Sequence, residues 1–335
     1  MLKFAIIGFG GLGKVHFRNM IELQKTRGDI KLVALCDIEE SRFSEETSTN
    51  LGGNTTPVDL SKFNLYTDVN KLLEKEELDF VITALPTYIH EKIAVLALEK
   101  GLCVFSEKPM ALNLEQCQNM IDKAKENNKH LMIGQCLRYW PEYSKLKEYI
   151  DSEEYGKVIR AEFSRYSPTP TWTWENWMLD NEKSGGAALD MHVHDVDYIN
   201  YVFGKPNSVS SVASHGKSKY DSMFTTYKYD DKFVTSSCDW GLPASYPFSP
   251  AFLVRFENAT VEMNNNGMKV YPEGEPSYIP LLVPGNAYME EIKDFINCIN
   301  EDREITVNNP QSVMQSIKIA LAEKESTDKG VVVNV

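Results

Sequence analysis

The sequence lacks the features that mark several classes of protein. Its six cysteines are scattered and form no Cys-x-x-Cys pair, which argues against a disulfide framework or a zinc site and favours reduced, buried thiols. No apolar run is long enough to span a membrane. No basic leader with a long apolar stretch precedes the first predicted strand. We therefore expect a soluble, cytoplasmic protein without a membrane partner.

The sequence also has fewer positively than negatively charged residues. The 335 residues include 35 lysines and arginines against 48 aspartates and glutamates, which gives a net charge of −13 at pH 7. Binding to nucleic acid requires a basic face, so this balance argues against a nucleic-acid partner. Internal repeats and low-complexity tracts are absent too, and the 42% of hydrophobic residues suffices for substantial cores. The length predicts two domains.

The first part of the chain alternates apolar runs with helical stretches. The run 2–7 ends in a glycine-rich turn, a helical stretch covers 14–25, and a second run, 30–36, follows. The same alternation then continues beyond residue 100. Strands that alternate with helices predict a doubly wound parallel sheet, so the fold class is α/β in this part. We assign residues 1–125 to this domain.

The second part of the chain has a different pattern. A helix is expected over 187–202, and two more over 288–300 and 311–325. Between them, strand-like runs follow one another with only turn residues in between, at 208–213, 222–229, 233–239, 252–256 and 260–263. Consecutive strands predict an open, largely antiparallel sheet. We therefore assign residues 126–335 to a C-terminal α+β domain.

The turn after the first strand has the glycine spacing of a dinucleotide-binding site. In Gly8-x-Gly10-x-x-Gly13, the first glycine allows a tight turn, the second lets the backbone approach a pyrophosphate, and the third permits close helix–strand contact. Asp37 follows the second apolar run, where a carboxylate accepts hydrogen bonds from ribose hydroxyls and repels a 2′-phosphate. The pattern predicts a Rossmann domain that binds NAD, while the nearby Arg42 leaves NADP as an alternative.

A short run rich in acids and histidines is the main candidate for catalysis. On a continuous helix, Asp190, His194 and Asp197 occupy positions i, i+4 and i+7 of one face. Histidine exchanges protons near neutral pH, and a neighbouring carboxylate orients it. Two alternatives remain open: a solvated acidic helix face, and a metal site formed by His192, His194 and a carboxylate.

A second candidate lies after the apolar run 102–105. Pro109 fixes its own φ and disfavours helical geometry at Lys108, so Ser106-Glu107-Lys108-Pro109 predicts a sharp loop. The loop follows a parallel strand, and ligands bind at the carboxyl ends of such strands. Lys108 is therefore a candidate proton partner beside the cofactor. The alternative is an exposed lysine in a turn.

Together, these motifs resemble those of the Gfo/Idh/MocA oxidoreductases, the family that contains inositol dehydrogenase and glucose–fructose oxidoreductase. A helical stretch at 288–296 resembles the family's late helix. The motifs in chain order are Gly8-Phe9-Gly10-Gly11-Leu12-Gly13, Leu85-Pro86-Thr87-Tyr88-Ile89-His90, Glu107-Lys108-Pro109 and Gly185-Gly186…Asp190…His194…Asp197. The resemblance implies a Rossmann domain followed by a domain whose open sheet mediates dimers or tetramers.

The resemblance also implies roles for individual residues. Lys108 would bind substrate and assist proton transfer, and His194 would act as acid and base beside Asp190. The implied cofactor-binding residues are Gly8, Gly10, Gly11, Leu12, Gly13, Asp37, Leu85, Pro86, Thr87, His90, Glu107 and Lys108. The expected substrate-binding residues are Lys108, Arg138, Tyr166, Trp174, Asp190, His192, His194 and Tyr288.

Three histidines call for separate expectations. His192 stands where the family often has glycine, so it would narrow the pocket, contact substrate or point away into packing. His90 is expected to cap or pack near the start of its helix, in addition to the cofactor role above. His16 carries no signal of function.

These features predict an NAD(P)-dependent oxidoreductase. It would transfer a hydride between nicotinamide and a secondary alcohol or carbonyl of a polyol, sugar or sugar derivative. One alternative is a non-catalytic NAD-binding regulator on the same fold, although the presence of Lys108 and His194 counts against it. A second is an NAD-dependent glycosidase. We expect a homodimer or homotetramer and no resident metal.

Overall fold

The computed structural model describes residues 1–44 and 59–335. Its internal contacts define two compact units: residues 1–134 with 288–311, and residues 135–287 with 312–335. The expected boundary at 125/126 differs from this division in two ways. Residues 126–134 complete the first sheet, and a late segment of the chain returns to the first unit.

In residues 1–44 and 59–134, strands are interspersed with helices, as predicted. The elements are β1 (Leu2–Ile7), α1 (Gly11–Thr26), β2 (Ile30–Cys36), β3 (Asn64–Tyr66), α2 (Val69–Lys75), β4 (Phe80–Thr83), α3 (His90–Glu99), β5 (Cys103–Glu107), α4 (Leu114–Glu126) and β6 (Leu131–Gly134). In the described part of the chain, the six strands form a parallel sheet in the order β3-β2-β1-β4-β5-β6. This order confirms the doubly wound fold.

The rest of the chain contains the second sheet. Its elements are α5 (Pro141–Ser152), β7 (Val158–Pro168), α6 (Asn181–Ser184), α7 (Ala187–Asp190), α8 (Val193–Phe203), β8 (Ser208–Ser214), β9 (Ser222–Lys228), β10 (Phe233–Leu242), β11 (Ser249–Phe256), β12 (Ala259–Asn264), β13 (Gly267–Pro272), α9 (Ala287–Glu301), α10 (Pro310–Lys329) and β14 (Val333–Asn334). The strand order is β13-β12-β11-β7-β10-β9-β8-β14. Strands β7 and β10 are parallel, and the other pairs are antiparallel. The expected open, largely antiparallel sheet is therefore confirmed.

The core of the first unit explains why the late segment belongs to it. Residues Phe4–Ile7 of β1 and Phe80–Thr83 of β4 are buried because both faces of a parallel sheet are covered. Across these strands, the rings of Phe4 and Phe80 stack with centroids 4.7 Å apart. Phe295 of α9 is fully buried and lies edge-on against Phe80, at 5.7 Å, and tilted against Phe105, at 5.9 Å. Helix α9 thus covers part of this core.

The prediction of a single helix over 187–202 was wrong, because the structure has two helices there. The amide of His192 donates to the carbonyl of Ala187 at 2.8 Å, an acceptor that the amide of Met191 also uses at 3.0 Å. This shared acceptor interrupts the helical hydrogen-bond ladder, so α7 ends at Asp190 and α8 begins at Val193. Asp190, His194 and Asp197 therefore do not form one continuous helical face.

In residues 1–44 and 59–335, no helix combines the length and the apolar character needed to cross a membrane.

The packing of α9 yields a prediction about stability. Replacing Phe295 with alanine removes a fully buried ring from the first unit, which we expect to lower the free energy of unfolding by about 3–5 kcal/mol. Chemical denaturation measures this loss, with Glu301→Ala at the exposed end of α9 as control, expected to change it by less than about 0.5 kcal/mol. A loss for Phe295→Ala no larger than that of the control would contradict the assignment of α9 to this core.

Candidate active site

The glycine turn between β1 and α1 has the shape that a dinucleotide needs. Gly8 has φ +92°, and a Cβ atom there would lie 2.2 Å from the carbonyl oxygen of Ala84. A Cβ on Gly13 would lie 1.9 Å from the carbonyl oxygen of Gly8. By contrast, a Cβ on Gly10 would meet no atom within 4 Å. Packing thus requires glycine at two of the three positions. The third glycine, Gly10, leaves open space at the start of α1, where the main-chain amides from Gly11 onward can donate hydrogen bonds to phosphate oxygens.

Asp37 lies just after β2 and supports this turn directly. The amide of Phe9 donates to Asp37 Oδ2 at 2.7 Å, and the amide of Glu39 donates to Asp37 Oδ1 at 3.0 Å. Each carboxylate oxygen can accept more than one hydrogen bond, so the half-buried carboxylate retains the capacity to bind ribose hydroxyls. The residues of the turn therefore fit NAD.

His90 connects the loop that follows β4 with the loop that follows β5, at the carboxyl ends of these two strands. Its Nδ1 lies 2.8 Å from the carbonyl oxygen of Pro109, and its Nε2 lies 2.7 Å from that of Leu85. The ring is fully buried, and burial lowers its pKa against the opposing effect of these hydrogen bonds. Because both ring nitrogens face main-chain acceptors, these contacts support a role in holding the loops rather than the expected contact with cofactor. Thr87, in the same loop, is buried, while Pro86 is half-buried.

Glu107 and Lys108 occupy the carboxyl end of β5, but they differ in exposure. Glu107 is buried; its Oε1 lies 2.6 Å from His16 Nε2, and its Oε2 accepts from the Lys108 amide at 3.1 Å. Lys108 is half-buried. These contacts favour a supporting role of Glu107 in the loop, and its expected contact with the cofactor stays a prediction. His16, which was expected to carry no function, is part of this support; its spacing of three from Gly13 places both on the helix face that packs on the sheet.

In the second unit, Asp190 and His194 lie on either side of the helix break. The preceding turn requires glycine, because Gly186 has φ +72° and a Cβ there would lie 2.3 Å from the carbonyl oxygen of Lys219. Asp190, at the end of α7, is buried, and His194, in the first turn of α8, is half-buried. The carboxyl group of Asp190 and the imidazole of His194 are of the residue types that transfer protons in catalysis, and they flank the break between α7 and α8.

The other two aspartates of the run are held by buried arginines. Arg138 Nε donates to Asp197 Oδ2 at 2.8 Å and its Nη2 to Oδ1 at 2.7 Å, with both side chains fully buried. Arg165 Nε and Nη2 donate to Asp195 Oδ2 and Oδ1 at 2.9 and 3.0 Å. Such bidentate pairs fix α8 within its unit. The geometry favours a structural role for Arg138 and Asp197, and the expected substrate role of Arg138 stays a prediction.

His192 is also part of the packing. It is fully buried, and its Nε2 lies 3.4 Å from Oε2 of Glu323, a fully buried residue of α10. These contacts favour the expectation that His192 points away into packing, and a contact with substrate stays a prediction. This placement also disfavours the metal alternative built on His192. Across residues 1–44 and 59–335, no group of three His, Cys, Asp or Glu side chains is arranged to hold a metal ion.

Three aromatic candidates fare differently. Arg165 faces α8 through Asp195, and side chains alternate along a strand, so Tyr166 lies on the opposite face of the sheet. There its hydroxyl lies 2.8 Å from Ser237 Oγ, away from the face that α8 covers, which disfavours its expected substrate role. Trp174 is half-buried in the irregular segment Trp174–Leu179. Tyr288 belongs to the first unit, its ring 6.3 Å from that of His16. For these last two residues, a substrate role remains a prediction.

Two family models match the chain. Residues 2–135 match the model described as "Oxidoreductase family, NAD-binding Rossmann fold". Residues 143–262 match the model described as "GFO/IDH/MocA C-terminal domain". The two matches follow the order of the two sheets and together cover most of the chain.

The chain is similar to characterised proteins in sequence and in structure. The scyllo-inositol 2-dehydrogenase (NAD(+)) of Bacillus subtilis is 29% identical over 235 residues, which cover 70% of this chain and 63% of that protein. The chain spans 55–63% of the length of the first curated relatives that it matches.

Solved structures of the same fold align along the whole chain. The myo-inositol 2-dehydrogenase of Lactobacillus plantarum has a TM-score of 0.80 at 24% identity, covering 100% of this chain and 99% of that one. The WlbA dehydrogenase of Bordetella pertussis, solved with NADH and UDP-GlcNAcA, has a TM-score of 0.83 at 18% identity, covering 100% and 98%. These likenesses establish the fold.

The buried pair on α8 yields a second prediction. Arg138→Ala leaves the Asp197 carboxylate buried without its guanidinium, so we expect the free energy of unfolding to fall by about 3–5 kcal/mol. The double variant Arg138→Met with Asp197→Leu removes both charges and should recover most of that loss. Denaturant titration of the three proteins measures both effects. A stable Arg138→Ala protein with only a raised KM for substrate would restore the role in substrate binding.

Proposed function

Because the chain belongs to the Gfo/Idh/MocA family of NAD-binding oxidoreductases, we propose that it transfers a hydride between NAD(H) and a secondary alcohol or carbonyl. The proposed substrate is a polyol, a sugar or a sugar derivative. The observation that carries the proposal is that this chain has, on the family's fold, both Lys108 just after the carboxyl end of β5 and His194 four residues after the buried Asp190.

Each proposed site residue has a distinct task. When bound, the nicotinamide accepts or supplies the hydride. In the direction of oxidation, the substrate hydroxyl must lose a proton, which we assign to the imidazole of His194 because histidine is the residue type that most often serves as acid and base in catalysis. Asp190 orients that imidazole. Lys108 donates a hydrogen bond to the substrate oxygen as negative charge develops on it.

We propose NAD rather than NADP as the cofactor. The carboxylate of Asp37 stands just after β2, where the ribose binds in this fold, and it would repel a 2′-phosphate. Arg42 lies in the neighbouring short helical turn Glu40–Phe43, so cofactor choice has to be measured with both nucleotides.

We also propose a cytoplasmic homo-oligomer. All six cysteines are buried, free thiols, which suits a reducing compartment. An extended segment beside β13 exposes Ile279, Leu281 and Val283 to 79%, 92% and 85%. The open face of the second sheet also exposes Phe224. Monomeric proteins rarely expose such apolar surface, so we infer that a second copy of the chain covers it.

The activity is tested by measuring NADH or NADPH formation with a panel of inositols, aldoses and ketoses. Lys108→Ala and His194→Ala should each lower kcat by about 10²–10⁴, since each removes a group that handles the reacting proton or oxygen. The exposed Lys92→Ala and His215→Ala are matched controls and should keep full activity. Turnover that survives both active-site substitutions contradicts the mechanism.

Two other outcomes of the same panel favour the alternatives. Tight NADH binding without turnover of any compound favours a non-catalytic regulator. Glycoside cleavage with NAD retained and no net NADH favours a glycosidase.

The oligomer is tested at the exposed apolar segment. Replacing Leu281 and Val283 with aspartate introduces charges that a dry interface would not accept, so we expect a shift from dimer or tetramer towards monomer. Size-exclusion chromatography with light scattering measures the mass, and Lys92→Asp serves as the exposed control. An unchanged mass for the double variant rules this segment out of the interface.

A further inference from the structure

The loop Glu107-Lys108-Pro109 is held by two buried histidines from different parts of the first unit. His16 comes from α1, and His90 is the first residue of α3. Neither imidazole is exposed to solvent. A polar ring that is buried this completely in a parallel-sheet domain requires a polar partner, and in both cases the partner belongs to the lysine loop.

The contact through His16 reaches Lys108 in two steps. His16 Nε2 lies 2.6 Å from Glu107 Oε1, and Glu107 Oε2 accepts the main-chain amide of Lys108 at 3.1 Å. One carboxylate therefore connects the ring to the backbone of the lysine. Since α1 begins at the glycine turn, the same helix that offers its amides to the cofactor also fixes the lysine loop.

The surroundings leave the Glu107 carboxylate little freedom. A Cβ on Gly134 would lie only 3.3 Å from the Glu107 carboxyl carbon, so the strand β6 already approaches it closely. Glu291 of α9 is fully buried and accepts a hydrogen bond from Asn308 Nδ2 at 3.3 Å. Burial and the nearby Glu107 raise the pKa of Glu291 well above its ordinary value, so the two carboxyl groups need not both be charged.

His90 fixes the loop beyond Lys108. Its Nδ1 contacts the carbonyl oxygen of Pro109, and its Nε2 contacts the carbonyl oxygen of Leu85 in the loop that follows β4. Lys108 is thus the half-buried residue between two anchored neighbours, Glu107 before it and Pro109 after it.

From these contacts we propose that His16 is a positioning residue for Lys108. Through Glu107 it sets the backbone, and hence the place of the lysine ammonium, relative to the cofactor turn at the start of α1. His90 performs the corresponding task through Pro109. The competing explanation is plain core packing, because the His16 ring also lies 5.8 Å from Phe105 and 6.3 Å from Tyr288.

The first test needs no substrate. Competitive labelling of the folded protein with acetic anhydride, followed by mass spectrometry, reports the reactivity of Lys108 against the exposed Lys92. His16→Leu keeps the bulk of the ring but loses the hydrogen bond, so the labelling rate of Lys108 should change several-fold. His16→Gln keeps a side-chain donor and should remain close to the parent. Equal rates in the parent, the leucine variant and the glutamine variant overturn the proposal.

Glu107→Gln provides a second variant in case the leucine protein does not fold. It keeps the size of the side chain but has a single carbonyl oxygen for the two contacts of Glu107, so the Lys108 rate should change here as well. His130→Gln, at a partly exposed histidine of the same unit, is the control and should leave the rate unchanged. An unchanged Lys108 rate in folded Glu107→Gln contradicts the proposal.

The second test rests on the proposed function and uses a double-mutant cycle. His16→Leu should lower kcat by about 10- to 100-fold, as small misplacements of a reacting group do, with NADH binding nearly unchanged by fluorescence titration. In the Lys108→Ala background, the same change should cost no further kcat, because the two residues act as one unit. Additive losses contradict the proposal. If no compound is turned over, the proposed function fails while the labelling test still decides the role of His16.

Discussion

The close approach of helix α1 to the first sheet is the constraint on which the rest of the structure depends. A side chain on Gly13 would collide with the Gly8 carbonyl at 1.9 Å, and one on Gly8 would collide with the Ala84 carbonyl at 2.2 Å. This approach opens the start of the helix to a dinucleotide, and it also brings His16 within 2.6 Å of Glu107. The shape of the glycine turn 8–13 and the position of the loop Glu107-Lys108-Pro109 therefore both depend on how closely α1 packs against the sheet.

In the second unit, buried ion pairs have a comparable effect on the acidic run. Two of its three aspartates are committed to bidentate pairs with Arg138 and Arg165, and His192 faces Glu323 in the interior. Charges that are buried this deeply must be paired, so we interpret these residues as fixing α8 rather than binding a substrate. Asp190 and His194 remain as the pair whose chemistry suits catalysis.

Patterns that depend on neighbours in the chain were predicted well, and pairings across the chain were not. The glycine spacing, the alternation of strands and helices, and the position of the lysine loop follow from local sterics and periodicity. Nothing local, however, links Arg138 to Asp197 or His16 to Glu107, which lie 59 and 91 residues apart. The helix break at His192 escaped prediction for a related reason, because the apolar spacing of 187–202 is that of one continuous helix.

The central claim is that the chain moves a hydride between NAD and a carbon that bears a hydroxyl group. The most direct measurement uses the first polyol or sugar found to be oxidised, carrying deuterium on the reacting carbon, and follows the label by mass spectrometry of the recovered nucleotide. The account predicts one deuterium per turnover in the NADH that forms, with the rate of transfer lowered by about 10²–10⁴ in His194→Ala. Release of the deuterium to water, or turnover without label in the nucleotide, would contradict it.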